Sequence, residues 1–258
     1  MKAVAEIHDS EAILLLYYYA FKGKLLSGLI HNVGSPLQSV MFLVELMGST
    51  VNLLSDFDET AKPKLDIISR EVKIIADTFS DFRILQQLAD SEEEVLDVCE
   101  FYHLITRILK ADIFCKHNVS ISIKSSLRVA IPQMPSRVFV IMFVELVRNA
   151  LKAIKSSSDK GGVEFCIDPS TLSKHEIIVR VIDTGCGWDP DFDSSLLFQP
   201  SYSSWDFPKE DFDEIPSFGL GLCCIQDLLS IYGGSISVNR DNNFTQVEMK
   251  IPARMIIP

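Results

Sequence analysis

Apolar side chains at Val33, Leu37, Val40, Val44, Met47 and Val51 advance in steps of four and three, and Leu65, Ile68, Val72, Ile75, Phe79 and Phe82 repeat the alternation. Such steps draw one seam along a helix and are incompatible with a strand, whose faces alternate at every second residue. Between the two series lie Ser55-Asp-Phe-Asp58 and Pro63, which read as a loop, so the seams meet in an antiparallel helical hairpin. Ile30, Met41, Leu43, Ile74 and Leu85 are apolar off the seam. A lone hairpin would leave that face in water, and two copies forming a four-helix bundle would cover it. Residues 11–26 read as a further helix running into the bundle.

After Asp90-Ser-Glu-Glu-Glu94 the pattern changes, which divides the chain into a helical part, 1–91, and a mixed part, 95–258. Segments 119–123, 162–167, 176–182, 235–238 and 246–251 alternate as strands, whereas 102–116, 136–155 and 220–232 have helical spacing. The mixed part is thus expected to be an α+β sandwich, one sheet covered by one helix layer. With 35 acidic against 24 basic side chains, the net charge of −11 argues against a nucleic-acid surface. The apolar run 13–21 is too short to span a bilayer, and the start lacks the features of a signal peptide. Six cysteines without a CxxC pair fit a reduced, cytoplasmic protein without structural metal.

Three segments carry candidate chemistry. In Glu145-Leu-Val-Arg-Asn149-Ala-Leu-Lys152 the charged and amide groups lie a turn apart on one side of a helix. Asn149, with Glu145, is a candidate magnesium ligand, and Arg148 or Lys152 can meet phosphate. Asp183-Thr-Gly185-Cys-Gly187 follows an apolar strand, which places a carboxylate at a strand end beside glycines that permit close approach of a ring. Ser217-Phe-Gly219-Leu220-Gly221-Leu222 precedes a helix whose free N–H groups can receive phosphate. Far upstream, His31 stands in His31-Asn32-Val-Gly-Ser35-Pro36-Leu37, on a small and polar stripe away from the seam, where an imidazole is a competent nucleophile.

In this order the three segments resemble the N, G1 and G2 boxes of the GHKL superfamily, the Bergerat ATP-binding fold shared by histidine kinases and DNA gyrase. Leu197-Phe198-Gln-Pro200 resembles the F box of histidine kinases, and Ile231-Tyr-Gly233-Gly234 with 245–252 resembles the closing hairpin that includes Thr245. The resemblance implies ATP and Mg²⁺ as cofactors. It also implies that Asn149 binds magnesium, Asp183 the adenine amino group, Gly219 and Gly221 the phosphates, and 201–217 a lid over the nucleotide. The sequence departs from the pattern at Ser217, Trp205 and Trp188.

The segment around His31 resembles the H box of the same kinases, with Ser35-Pro36-Leu37 in place but Asn32 where the family carries an acid. Because an amide cannot accept a proton, Glu145 becomes the candidate base. The resemblance implies a homodimeric sensor histidine kinase core that autophosphorylates His31 and hands phosphate to a response-regulator receiver domain, with an input element upstream. Ser35 would assist the reverse, phosphatase reaction by holding a water. Two rivals remain: a histidine phosphotransferase relay with a lapsed ATP site, and a mitochondrial-type serine protein kinase of the same superfamily.

Overall fold

The computed structural model describes residues 2–50, 57–157, 160–171, 173, 175–188, 193–200, 219–241 and 243–256, with backbone alone for 2–8, 27–32, 34, 35, 47–50, 57–62 and 65. Two long helices come first, α1 (Lys2–Thr50) and α2 (Phe57–Ala89). The stretch 11–26 and the first seam are thus a single helix, with Pro36 inside it. Pro63, expected in the loop, also lies inside a helix. A proline removes one N–H and one i→i−4 bond, and the helix formers on either side carry α2 through that defect.

Among the described residues the hairpin buries its seam only in part, with Phe82 the buried one. Val33, Val40, Ile68 and Ile75 are half-buried, whereas Leu37, Val44, Val72 and Phe79 remain about half exposed, at 49–55%. The first half of α1 behaves differently. Leu14, Tyr17, Tyr18, Phe21 and Leu25 are buried and belong to the same apolar core as the C-terminal part, so the core runs across the boundary drawn at 91–95.

The mixed part begins with α3 (Val98–Leu109) and α4 (Ile113–Asn118). The single helix expected over 102–116 is broken because Asp112 accepts the Cys115 N–H at 2.9 Å and starts a new helix. Then follow β1 (Val119–Ser125), β2 (Val129–Pro132), α5 (Ser136–Ser157), β3 (Gly161–Pro169), β4 (Glu176–Asp183), a 3₁₀ turn (Ser194–Phe198), α6 (Gly221–Ile231), β5 (Ser235–Asp241) and β6 (Phe244–Ile256). The strand β2 escapes the alternation argument: it is four residues long and ends in proline.

The strands form one sheet in the order β1-β3-β4-β6-β2, with β5 paired to the first part of β6. Among the described strands only β1 and β3 run parallel. Strand β4 alternates half-buried and buried along its length, so Ile177, Val179, Val181 and Asp183 share one face. Helices α3, α5 and α6 pack against the sheet. On the alternate positions Arg180 pairs with Glu248 at 2.8 Å and Asp168 at 2.7 Å across neighbouring strands. Under the helices Phe101, Tyr102, Phe139, Phe143 and Phe165 interlock, with ring centroids 5.1–5.9 Å apart. Each such pair adds roughly 0.5–1.5 kcal/mol beyond its area.

The helix α5 is buried along almost its whole length because β3 and β4 pack against it as well as α1 and α2. An amphipathic helix with a wet side would be read correctly from its charges. Here the side opposite the sheet meets α1, and that decides where Arg148 and Lys152 go.

Candidate nucleotide site

One cavity, open at its mouth, lies between α5, the end of β4, the start of α6 and the β5–β6 ribbon. Its lining includes Glu145, Asn149, Asp183, Gly187, Gly219, Gly221, Leu222 and Thr245, which come from the three separated segments and the closing hairpin. Thus most of the candidate binding residues, up to 100 positions apart in the chain, share one space.

The polar end of the cavity is set by strand register. Asp183 pairs directly with Thr245 across β4 and β6, and both side chains are buried, at 4% and 8% exposure. The Asp183 carboxylate accepts the Gly185 N–H at 2.8 Å. Burial outweighs this bond and pushes its pKa from 3.8 up to about 7. The Thr245 hydroxyl is buried without a hydrogen-bond partner among the described residues. A carboxylate beside an unsatisfied hydroxyl, at the end of an otherwise apolar slot, fits the amino and ring-nitrogen edge of adenine. Gly187, at φ +58°, lies so close to Thr245 that a Cβ there would come within 2.9 Å of its hydroxyl.

The walls are apolar. Leu146, Ala150 and Ala153 come from α5, Val181 from β4, Val238 from β5 and Val247 from β6, joined by Trp188 and Leu197. These wall residues were not singled out from sequence, apart from Trp188 and Leu197. Position supplies the missing signal: Ala150 follows Leu146, and Ala153 follows Asn149, at the i,i+4 interval of a helix, and Val181 and Val247 stand two residues from Asp183 and Thr245 on the same strand faces. Gly185 and Leu220 are not in the lining. Gly185 packs on Ala153, where a Cβ would clash with backbone, and Leu220 precedes α6.

Glu145 and Asn149, which also line the cavity, stand one turn apart on α5. Glu145 is 2% exposed and abuts Gly221, where any Cβ would collide with its carboxylate. Arg148 donates to both Glu145 oxygens, at 2.7 Å from Nε and 2.7 Å from Nη2. Its guanidinium is itself covered by the Tyr17 ring of α1, 4.3 Å away. Arg148 and Lys152 therefore do not line the nucleotide cavity; they line a second one on the α1 side of α5. Tyr17 had no signal in sequence beyond its place on an apolar helix face. Arg240, also unread from sequence, pairs in register with Thr245 and has a buried Nη1 without a partner among the described residues.

His31, Asn32 and Ser35 lie on the α1 backbone, and their side chains fall outside the described residues, as does the stretch 201–217 with Trp205 and Ser217. Among the described residues no three His, Cys, Asp or Glu side chains cluster as a metal site, and no helix is long and apolar enough to cross a membrane.

Residues 136–255 match the family described as Histidine kinase-, DNA gyrase B-, and HSP90-like ATPase. No curated protein matches the chain. Among solved structures, the mycobacterial sensor histidine kinase MprB is 16% identical, covering 62% of this chain and 99% of its own, with a TM-score of 0.50. The histidine kinase AdeS of Acinetobacter baumannii is 14% identical over 86% of this chain and 97% of its own, at 0.45. The histidine kinase domain of the blue-light activated kinase from Erythrobacter litoralis is 16% identical over 82% and 95%, at 0.44. At these identities the likeness is one of fold, and it rests on the first of the three. Over residues 136–255 the chain is thus similar to the histidine kinase-, DNA gyrase B- and HSP90-like ATPases, and its fold is like that of the mycobacterial kinase structure.

Proposed function

We propose that the chain is the cytoplasmic core of a two-component sensor histidine kinase, in which the α1–α2 hairpin dimerises and carries the phosphoacceptor His31 and the C-terminal part binds MgATP. The observation that carries this reading is the cavity itself. It gathers the three motif segments and sets a buried carboxylate, Asp183, beside a buried hydroxyl, Thr245, that is unsatisfied among the described residues, with Asn149 also in its lining. Asn149 would hold Mg²⁺ through its amide oxygen, and the ion would neutralise phosphate charge. In the proposed reaction the His31 imidazole attacks the γ-phosphorus, the bond to the bridging oxygen breaks with its electron pair leaving on ADP, and a receiver-domain aspartate later takes the phosphoryl group. Asn32 cannot accept the imidazole proton. Glu145 can do so through the acceptor sites left over by Arg148, which donates one bond to each of its oxygens. Ser35 would hold the water for the reverse hydrolysis. Leu37, Met41, Phe42 and Val44 of α1 and Val72 and Phe79 of α2, all about half exposed, support pairing of two hairpins.

The test is incubation with radiolabelled MgATP. Acid-labile, base-stable label on His31, lost in His31→Gln, is the expected result. Label on serine would move the chain to the serine-kinase class. The specific observation favouring a relay instead is the closed Glu145–Arg148 pair, and ATP binding without any label on His31 would decide for that reading.

A further inference from the structure

Trp188, one of the positions where the sequence departs from the GHKL pattern, lines the nucleotide cavity and is half-buried. It follows Gly187, whose left-handed backbone at φ +58° lies against Thr245. The apolar lining otherwise consists of alanine, valine and leucine: Leu146, Ala150 and Ala153 of α5, Val181, Val238 and Val247 of the sheet, and Leu197 and Leu222. Trp188 is thus the one aromatic ring among the described residues of the lining. A flat base gains dispersion from aliphatic walls, and a ring lying parallel to it adds stacking.

The hydrogen-bonding groups of the cavity do not by themselves choose between bases. The Asp183 carboxylate can accept from an exocyclic amino group, and the Thr245 hydroxyl can serve a ring nitrogen. Adenine presents that pair of groups side by side, and so does cytosine. What separates the two is area: a purine offers two fused rings to a flat partner, and a pyrimidine offers one.

We infer that Trp188 stacks on the base and sets the preference of this site for a purine over a pyrimidine nucleotide. The inference rests on the nucleotide reading of the cavity and adds to it a ring contact that Asp183, Thr245 and Asn149 do not supply.

Calorimetric titration of the full chain with MgATP and with MgCTP tests it. The wild type is expected to bind ATP at least about tenfold more tightly than CTP, ~1.4 kcal/mol. Trp188→Leu keeps an apolar side chain but no ring; it should weaken ATP by about tenfold and CTP by no more than about threefold, so that the preference narrows. Trp188→Phe keeps a ring and should hold ATP within about threefold of the wild type with the preference retained, which tests the proposal even where the leucine variant fails to fold. A merely structural tryptophan would, once replaced, weaken both nucleotides alike. Equal losses for ATP and CTP, no preference in the wild type, or a preference unchanged in Trp188→Leu or lost in Trp188→Phe would each overturn the stacking role while leaving the cavity a nucleotide site. Absence of ATP binding by the wild type would instead overturn the nucleotide reading, and the stacking with it.

Discussion

Asp183 offers a test in which stability and binding move in opposite directions. Its carboxyl is 4% exposed and is compensated among the described residues by one N–H from Gly185, so burial holds its pKa at about 7 rather than 3.8. The folded protein therefore holds this proton more tightly than the unfolded chain. Below about pH 4 both states are protonated and the group costs nothing; as pH rises toward about 7 the cost accumulates, and above that it is constant. At ~1.36 kcal/mol per pH unit the full cost is about 4 kcal/mol, of which roughly 2 kcal/mol is already present at pH 5. Asp183→Asn keeps the shape and the acceptor for Gly185 N–H but cannot ionise. Urea denaturation of the variant and the wild type, without nucleotide, should therefore show the variant more stable by about 2 kcal/mol at pH 5 and about 4 kcal/mol at pH 8. Effects common to both proteins cancel in this difference. On the proposed function the same substitution abolishes ATP binding in calorimetry, because an amide presents its N–H₂ or a weaker acceptor to the adenine amino group. A stability difference that does not grow between pH 5 and pH 8 would refute the buried-carboxyl account. Retained ATP affinity would refute the role of Asp183 in holding adenine.

Gly221→Ala places a Cβ against the Glu145 carboxylate and forces it off Arg148 or shifts the start of α6. Disturbing that buried pair should cost about 3 kcal/mol in urea denaturation and weaken ATP together with it. Phe79→Asp puts a charge on the exposed apolar face of α2, where Phe79 is 55% exposed. It should leave the monomer folded by circular dichroism but shift the mass in light scattering from dimer to monomer, and an unchanged mass would remove that face from the interface.

How far the sequence could be read depended on how many neighbours each element has. The strands of the sheet have one covered face each, and their alternation gave five of six within a few residues at each end; β2 was lost because four residues ending in Pro132 are too few to alternate. Asp183 and Thr245 were each legible from motif position, but their pairing was not, since it depends on the register of β4 against β6. The helices α1 and α5 defeated the simple reading for one shared reason. A seam with steps of four and three says that a helix has a partner along that side; it does not say that residues 14–25 of the same helix meet a different one. Likewise Glu145, Arg148, Asn149 and Lys152 lie within about two turns, and the rule that such residues share a side holds for a helix with water behind it. The helix α5 has α1 behind it, so its cationic side chains turn to the Tyr17 side while Glu145 and Asn149 face the cavity. The Glu145–Arg148 pair then stands between two cavities, Glu145 lining one and Arg148 the other. Whatever displaces Tyr17 on α1 loosens the cover of Arg148 and, through two hydrogen bonds of 2.7 Å, the wall of the nucleotide cavity. Since α1 also carries residue 31, the helix that presents the proposed acceptor is the one that packs behind the proposed base.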